Sequence, residues 1–224
     1  MIARHSFLLI LSAIIISVCN PANAEEINLL PKYGLFSKNE AQKIADEKFL
    51  MDIDNRYKGN RKKAAEDVSL SGWQFLRQGN TSDAMRRFNQ AWMIDNTNGF
   101  ALWGMATISS IRGNVDQSLK LFGEAELFVG NDIDFSVDYA RSVGFAGVQS
   151  NNKKLLQDAL NRFTQIHKRA PQHTLNLQNW AIILFSVGNF SEAWKKIILA
   201  EATPHHAELD KNFIAALQAK MPRP

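Results

Sequence analysis

Two thirteen-residue phrases, GNTSDAMRRFNQA from Gly79 and GNVDQSLKLFGEA from Gly113, echo one another at a spacing of 34. Each opens Gly-Asn and puts Phe nine and Ala twelve positions after the glycine, so Phe88 answers Phe122 and Ala91 answers Ala125. A third phrase, GNFSEAWKKIILA from Gly188, carries Ile197 in the Phe place; it lies two periods plus seven beyond Gly113. Between them, LLQDALNRFTQIHKRAP keeps Ala159, Phe163 and Pro171 at the matching mutual distances but lacks the glycine. A period of this length restricts the fold to an array, because one short unit cannot bury its own apolar face and several must stack.

The residue types fit paired helices. Small residues let two helices approach closely, an aromatic side chain fills the wedge between them, and Gly accepts the positive φ of a tight turn. On these residues the chain resembles the tetratricopeptide-repeat (TPR) family, whose unit has a small residue near position 8, Gly at 15, Ala at 20, an aromatic at 24, Ala at 27 and Pro at 32. The first repeat then spans about 65–98, with Gly72, Gly79, Ala84, Phe88 and Ala91. The second spans about 99–132, with Ala106, Gly113, Phe122 and Ala125, and Ser118 where Ala is usual. The third, about 140–173, offers Gly147, Ala159, Phe163 and Pro171, with Lys154 in the turn-Gly place; the fourth, about 174–207, offers Ala181, Gly188, Ala193 and Ala200. Residues 133–139, IDFSVDY, are left over as an insertion. The resemblance implies an all-α, right-handed superhelical solenoid of helix hairpins over residues 65–220.

Both flanks fit such an array. Residues 208–220 space Leu209, Phe213, Ala216 and Leu217 as a terminal capping helix does. Residues 37–64 form an N-terminal helical extension, in which SKNE (Ser37 to Glu40) reads as a capping box and Ala41, Ile44, Ala45, Phe49 and Ile53 stripe one face. Residues 25–36 combine Pro and Gly without a period and read as an extended arm.

Residues 1–24 are of another kind. Arg4 and His5 precede the apolar run FLLILSAIIISV, and ANA (Ala22 to Ala24) precedes Glu25. This is the layout of a secretory signal peptide cut after Ala24. The expected product is a soluble chain exported to the periplasm. The one cysteine, Cys19, lies inside this segment; the alternative is a lipid anchor on it, making an outer-membrane lipoprotein, although Val18 stands where such signals carry a small residue. With Cys19 removed, cysteine-based catalysis, metal binding and disulfides go too. The remainder has 25 basic and 22 acidic residues, without a Lys/Arg block, which gives no reason to expect nucleic acid as a partner.

Catalytic signals are thin. Asp132, Asp134 and Asp138 lack the Gly and Glu of a calcium loop and read as acids at a helix start. His205 and His206 are adjacent and would diverge on a helix, and no phosphate loop, G-x-S-x-G or H-E-x-x-H motif occurs. No cofactor, metal or catalytic residue is expected. In TPR proteins helix A of each hairpin lines a concave groove, with ligand contacts at positions 2, 5, 9, 12 and 13. The resemblance therefore implies a groove containing Trp73, Leu76, Arg77, Phe100, Trp103, Thr107, Ile111, Gln178, Ile182 and Phe185. In the third repeat it implies Arg141, Gly144, Val148, Asn151 and Asn152. The Lys/Asn/Arg clamp some members use for a terminal carboxylate is absent. So apolar a groove implies a protein or peptide ligand, unless the 39–57 helix or the 25–36 arm covers it. The expected role is a non-enzymatic adaptor; an anchored structural component and a toxin-neutralising inhibitor are the alternatives.

Overall fold

A computed structural model describes residues 24–224; the apolar run, Cys19 and most of the A-x-A site lie outside them. Every regular element among the described residues is helical. After a single turn, α1 (Ala24–Ile27), and a 3-10 turn (Pro31–Leu35), come α2 (Glu40–Tyr57) and four hairpins. The hairpins are α3 (Arg61–Arg77) with α4 (Thr81–Ile94), α5 (Gly99–Ile111) with α6 (Val115–Val129), α7 (Ile133–Gln149) with α8 (Lys153–Arg169), and α9 (Thr174–Ser186) with α10 (Phe190–Glu201). Helix α11 (Lys211–Lys220) closes the stack against α10.

The Gly-Asn phrase is the hairpin tip. Gly79, Gly113 and Gly188 all take φ of 77–79°, and the following Asn80 and Asn189 cap the second helix by accepting from the backbone N–H of Asp83 and Glu192. The third hairpin obeys the same rule with a substitute. Asn151 takes the turn at φ 50°, and Asn152 caps α8 by accepting from Lys154 N and Leu155 N. Asn tolerates the left-handed region better than other side chains, so it serves here, and not Lys154, in the place of glycine.

This turn relocates the seven surplus residues. Helix-A caps fall at Asn98, Asp132 and His173, so the second repeat measures 34 and the third 41. Turns fall at Gly113, Asn151 and Gly188, 38 and 37 apart. Residues 133–139 are thus the start of α7, not a linker. The surplus divides into four residues at the end of α7 and three around α8, about one helical turn each, which keeps both apolar faces in phase.

Packing follows from the pattern. The Phe88 ring, fully buried, is held between two glycines: a Cβ on Gly72 would stand 2.6 Å from the ring and one on Gly104 2.1 Å. Phe122 stacks on Tyr139 at 5.1 Å, joining the second hairpin to the third. Phe163 stacks on Trp180 at 6.2 Å, joining the third to the fourth.

At the N-terminal end the capping box is Asn39 with Gln42, in place of the expected Ser37 with Glu40: Gln42 N donates to Asn39 Oδ1 and Asn39 N to Gln42 Oε1. The second half of α2 packs on α3, through Phe49, Leu50, Ile53 and Tyr57 on Ala64, Ala65 and Val68, while Ala41, Ile44 and Ala45 of its first half are exposed. The arm lies along α4 and reaches α6. Asn89 Nδ2 donates to the carbonyls of Asn28 (2.9 Å) and Leu30 (2.8 Å), Arg112 donates to Leu29 O (2.6 Å), and Lys32 pairs with Glu124. Within it Lys32, Tyr33, Gly34 and Leu35 all have φ between 53° and 64°, one turn of left-handed helix. Such a turn costs about 1–2 kcal/mol per non-glycine residue and persists only where surrounding contacts impose it.

Candidate partner-binding groove

Neighbouring first helices of the hairpins touch, α3 to α5, α5 to α7 and α7 to α9, whereas successive second helices make less contact. The stack is tighter on the first-helix side, so α3, α5, α7 and α9 form the inner, concave layer. Contacts of the arm with α4, Arg112 and Glu124, and of α2 with α3 through its last two turns, leave the open face of this layer uncovered by either.

Counting from each hairpin's start at 65, 99, 133 and 174, the fifth position is buried throughout: Ser69, Trp103, Val137 and Gln178. Trp103 is only 8% exposed. Its ring meets Trp73 edge-on at 4.8 Å and Phe135 at 5.6 Å, and its indole N–H donates to Asp138 Oδ2 at 3.0 Å. The structure therefore places Trp103 as a wedge between adjacent inner helices. Gln178 is committed as well, its Oε1 accepting from Asp210 N (2.7 Å) at the entry to α11. Leu76 packs on the core shared by the first two hairpins, and Phe185 is met edge-on by Phe213 of α11 at 5.6 Å.

Positions 2, 9 and 13 remain open. Spaced seven and then four residues apart, they make one stripe along each helix: Glu66, Trp73 and Arg77; Phe100, Thr107 and Ile111; Asp134, Arg141 and Phe145; Leu175, Ile182 and Ser186. Trp73 is half-buried, with its indole N–H donating to Phe100 O at 3.2 Å, and Thr107 donates to Trp103 O at 3.0 Å. Ile111 is 60% exposed and Phe145 43%. In the third hairpin Arg141 stays on the stripe, Gly144 is buried, and Asn151 and Asn152 serve the turn. Asp134 and Phe145 take the vacated places. Phe145 lies one full period after Ile111, and the Asn-Asn pair at 151–152 is the signal that would have found it.

The longer third hairpin also makes a step. Where α7 outreaches the tip of the second hairpin, a cleft of about 340 Å³ opens between Ile111, Val115 and Leu119 on one side and Phe145 and Ala146 on the other, with Arg141 the one charged residue lining it. Toward the start of the same helix, the three early acids have separate duties. Asp132 caps the helix by accepting from Phe135 N (2.9 Å), Asp134 pairs with His173 (2.9 Å), and Asp138 accepts from Trp103. Burial pushes the Asp138 carboxyl above its ordinary range, against the pull of Arg141 and the Trp103 hydrogen bond and with the help of Asp134 and Asp132.

A second cleft, about 610 Å³, lies at the opposite edge between His173, Asp134, His205 and Glu208. His173 Nδ1 accepts from Asn176 N (3.2 Å), so its Nε2 carries the hydrogen toward Asp134. The one hydroxyl of this cleft, on Thr174, is buried against Thr203 at 2.6 Å. No group of three or more His, Cys, Asp or Glu side chains among the described residues is placed to hold a metal, and no described helix is long and apolar enough to cross a membrane.

No protein-family model and no curated protein matches the sequence. Solved structures match its fold. TTC0263, described as a thermophilic TPR protein in Thermus thermophilus, has a TM-score of 0.63 at 16% identity, over 71% of this chain and 84% of that one. MamA, as an RS-1 ArsTM double mutant, has a TM-score of 0.50 at 12% identity over 72% and 93%. At such identities the likeness is one of fold, and the fold of this chain is that of a tetratricopeptide-repeat solenoid.

Proposed function

We propose that this protein is a non-enzymatic scaffold that binds a protein or peptide partner along the open stripe of its inner helices. The observation that carries this is the row of large apolar side chains, Phe100, Ile111, Phe145 and Leu175, exposed at repeat spacing while the arm occupies the other layer. Apolar surface regularly displayed on a concave face favours a ligand that buries it. The test is a pull-down from an envelope extract with the wild-type chain, Thr107→Arg, and Lys120→Glu on the exposed side of α6 as control. A partner retained by the control and lost by Thr107→Arg, with helicity unchanged in both, supports the stripe as the site. Equal capture by all three refutes it.

We place the scaffold in the periplasm on the strength of residues 1–24, whose basic start, apolar run and A-x-A site suit export. Expressed in a Gram-negative cell, the chain should be recovered from the periplasmic fraction with Glu25 as its first residue. Recovery in the cytoplasm, or in membranes with lipid on Cys19, would overturn this.

A further inference from the structure

The step beside α7 carries a chemical preference. Ile111, Val115, Leu119, Phe145 and Ala146 give it an apolar side, the neutral Ser110, Ser118, Ser142 and Gln149 share the lining, and Arg141, half-buried beside them, makes no ion pair or hydrogen bond among the described residues. The nearest acid on its own helix, Asp138, accepts from the Trp103 indole and attracts Arg141 through space without a hydrogen bond to it, and Asp134 is hydrogen-bonded to His173. Helix α5 on one side and α9 on the other contain no charged residue at all. A guanidinium in such a setting presents a fork of N–H donors to whatever enters. A carboxylate there gains more than it would on an open surface, because the half-buried Arg141 is partly shielded from water.

We infer that the partner segment is extended and carries an internal Asp or Glu within two residues of a large apolar side chain, the acid meeting Arg141 and the apolar group filling the cleft between Ile111, Leu119 and Phe145. This rests on the stripe being the binding face. An extended segment advances about 3.3 Å per residue and inner helices stand about 8–10 Å apart, so two or three residues cover one helix and the two requirements fall close together in sequence. The stripe continues on both sides of α7, through Thr107 and Ile182, so the segment passes through and does not end there.

The test uses random twelve-residue peptides displayed on phage, selected against the purified chain and resynthesised with amidated and with free C-termini. Binding is read by fluorescence anisotropy to wild type, Arg141→Gln and Thr107→Arg. The expected peptides share an acid next to Leu, Ile or Phe and lose at least about tenfold in affinity to Arg141→Gln. Replacing the peptide's Glu by Gln should cost the same in wild type and nothing further in Arg141→Gln, the signature of a direct pair. Dependence on a free C-terminus would overturn the internal acid. Peptides lost with Thr107→Arg but indifferent to Arg141→Gln would overturn the inference and leave the stripe standing. Peptides indifferent to both substitutions would remove both.

Discussion

Gly104→Ala tests the packing logic most severely. Ala is the better helix former by about 1 kcal/mol, so propensity alone predicts stabilisation. The structure predicts the reverse. The new Cβ would stand 2.1, 2.3 and 2.5 Å from three carbons of the Phe88 ring, against a comfortable separation of about 3.5–4.0 Å. The ring cannot back away, because its other side faces Gly72, where a Cβ would stand 2.6 Å from it. Overpacking of this kind costs about 1–3 kcal/mol, and a site closed on both sides belongs at the upper end. Net of propensity, the loss is about 2 kcal/mol, or roughly 4–8 °C in Tm for a chain of this size. The assay is urea unfolding followed by circular dichroism, with Phe88→Leu and the double variant alongside. Phe88→Leu alone should cost about 1–2 kcal/mol through the space it leaves. In the double variant that space receives the new methyl, so the combined loss should fall short of the sum by more than about 1 kcal/mol. A neutral Gly104→Ala, or strict additivity, would refute the clamp.

Three further outcomes are expected. Gly113→Ala, at φ 77° with nothing near the added methyl, should lose about 1–2 kcal/mol from backbone strain alone, while Asn151→Gly should gain a few tenths up to about 1 kcal/mol in the same unfolding assay. Asn89→Asp sets a carboxylate against the carbonyls of Asn28 and Leu30 and should cost about 1–3 kcal/mol of arm docking, seen as faster limited proteolysis between residues 25 and 36 with helicity retained. Asp138 has its folded-state pKa raised by burial, so its ionisation opposes folding, and its penalty grows as pH rises from the ordinary carboxylate range through the raised value. Asp138→Asn, which keeps an acceptor for Trp103, should therefore stabilise the chain at pH 7, with the advantage fading as pH falls toward 4 in Tm measurements across that range.

Fold class is legible because one period of 34 dictates both helices and their stacking. Details go astray where a physical alternative leaves the same trace in sequence. A missing glycine at Lys154 suggests a degenerate turn, yet Asn151 makes the turn three residues earlier, and helices absorb an extra turn without losing phase. The stripe on α2 is regular, but Ile44 lies beyond the reach of α3, where periodicity has nothing to pack on. Trp103 is the instructive residue at the site. At position 5 a large ring lies against the next hairpin if that hairpin offers an aromatic partner, and the neighbours that decide it, Trp73 and Phe135, come from other repeats. The open positions Phe100, Thr107 and Ile111 are readable because in-register helices expose equivalent faces.

The arm has a consequence for the order of folding. Its anchors come late in synthesis: Asn89 follows Asn28 by 61 residues, Arg112 follows Leu29 by 83, and Glu124 follows Lys32 by 92. Before α4 and α6 exist the left-handed turn lacks the contacts that hold it, the first from Asn89 and the last from Glu124, and Lys32, Tyr33 and Leu35 relax to ordinary backbone conformations. The segment made early thus completes its docking late, once two hairpins have formed by local contacts. A nascent chain carries it unseated, and the completion of its seating marks the moment when the first half of the solenoid is finished.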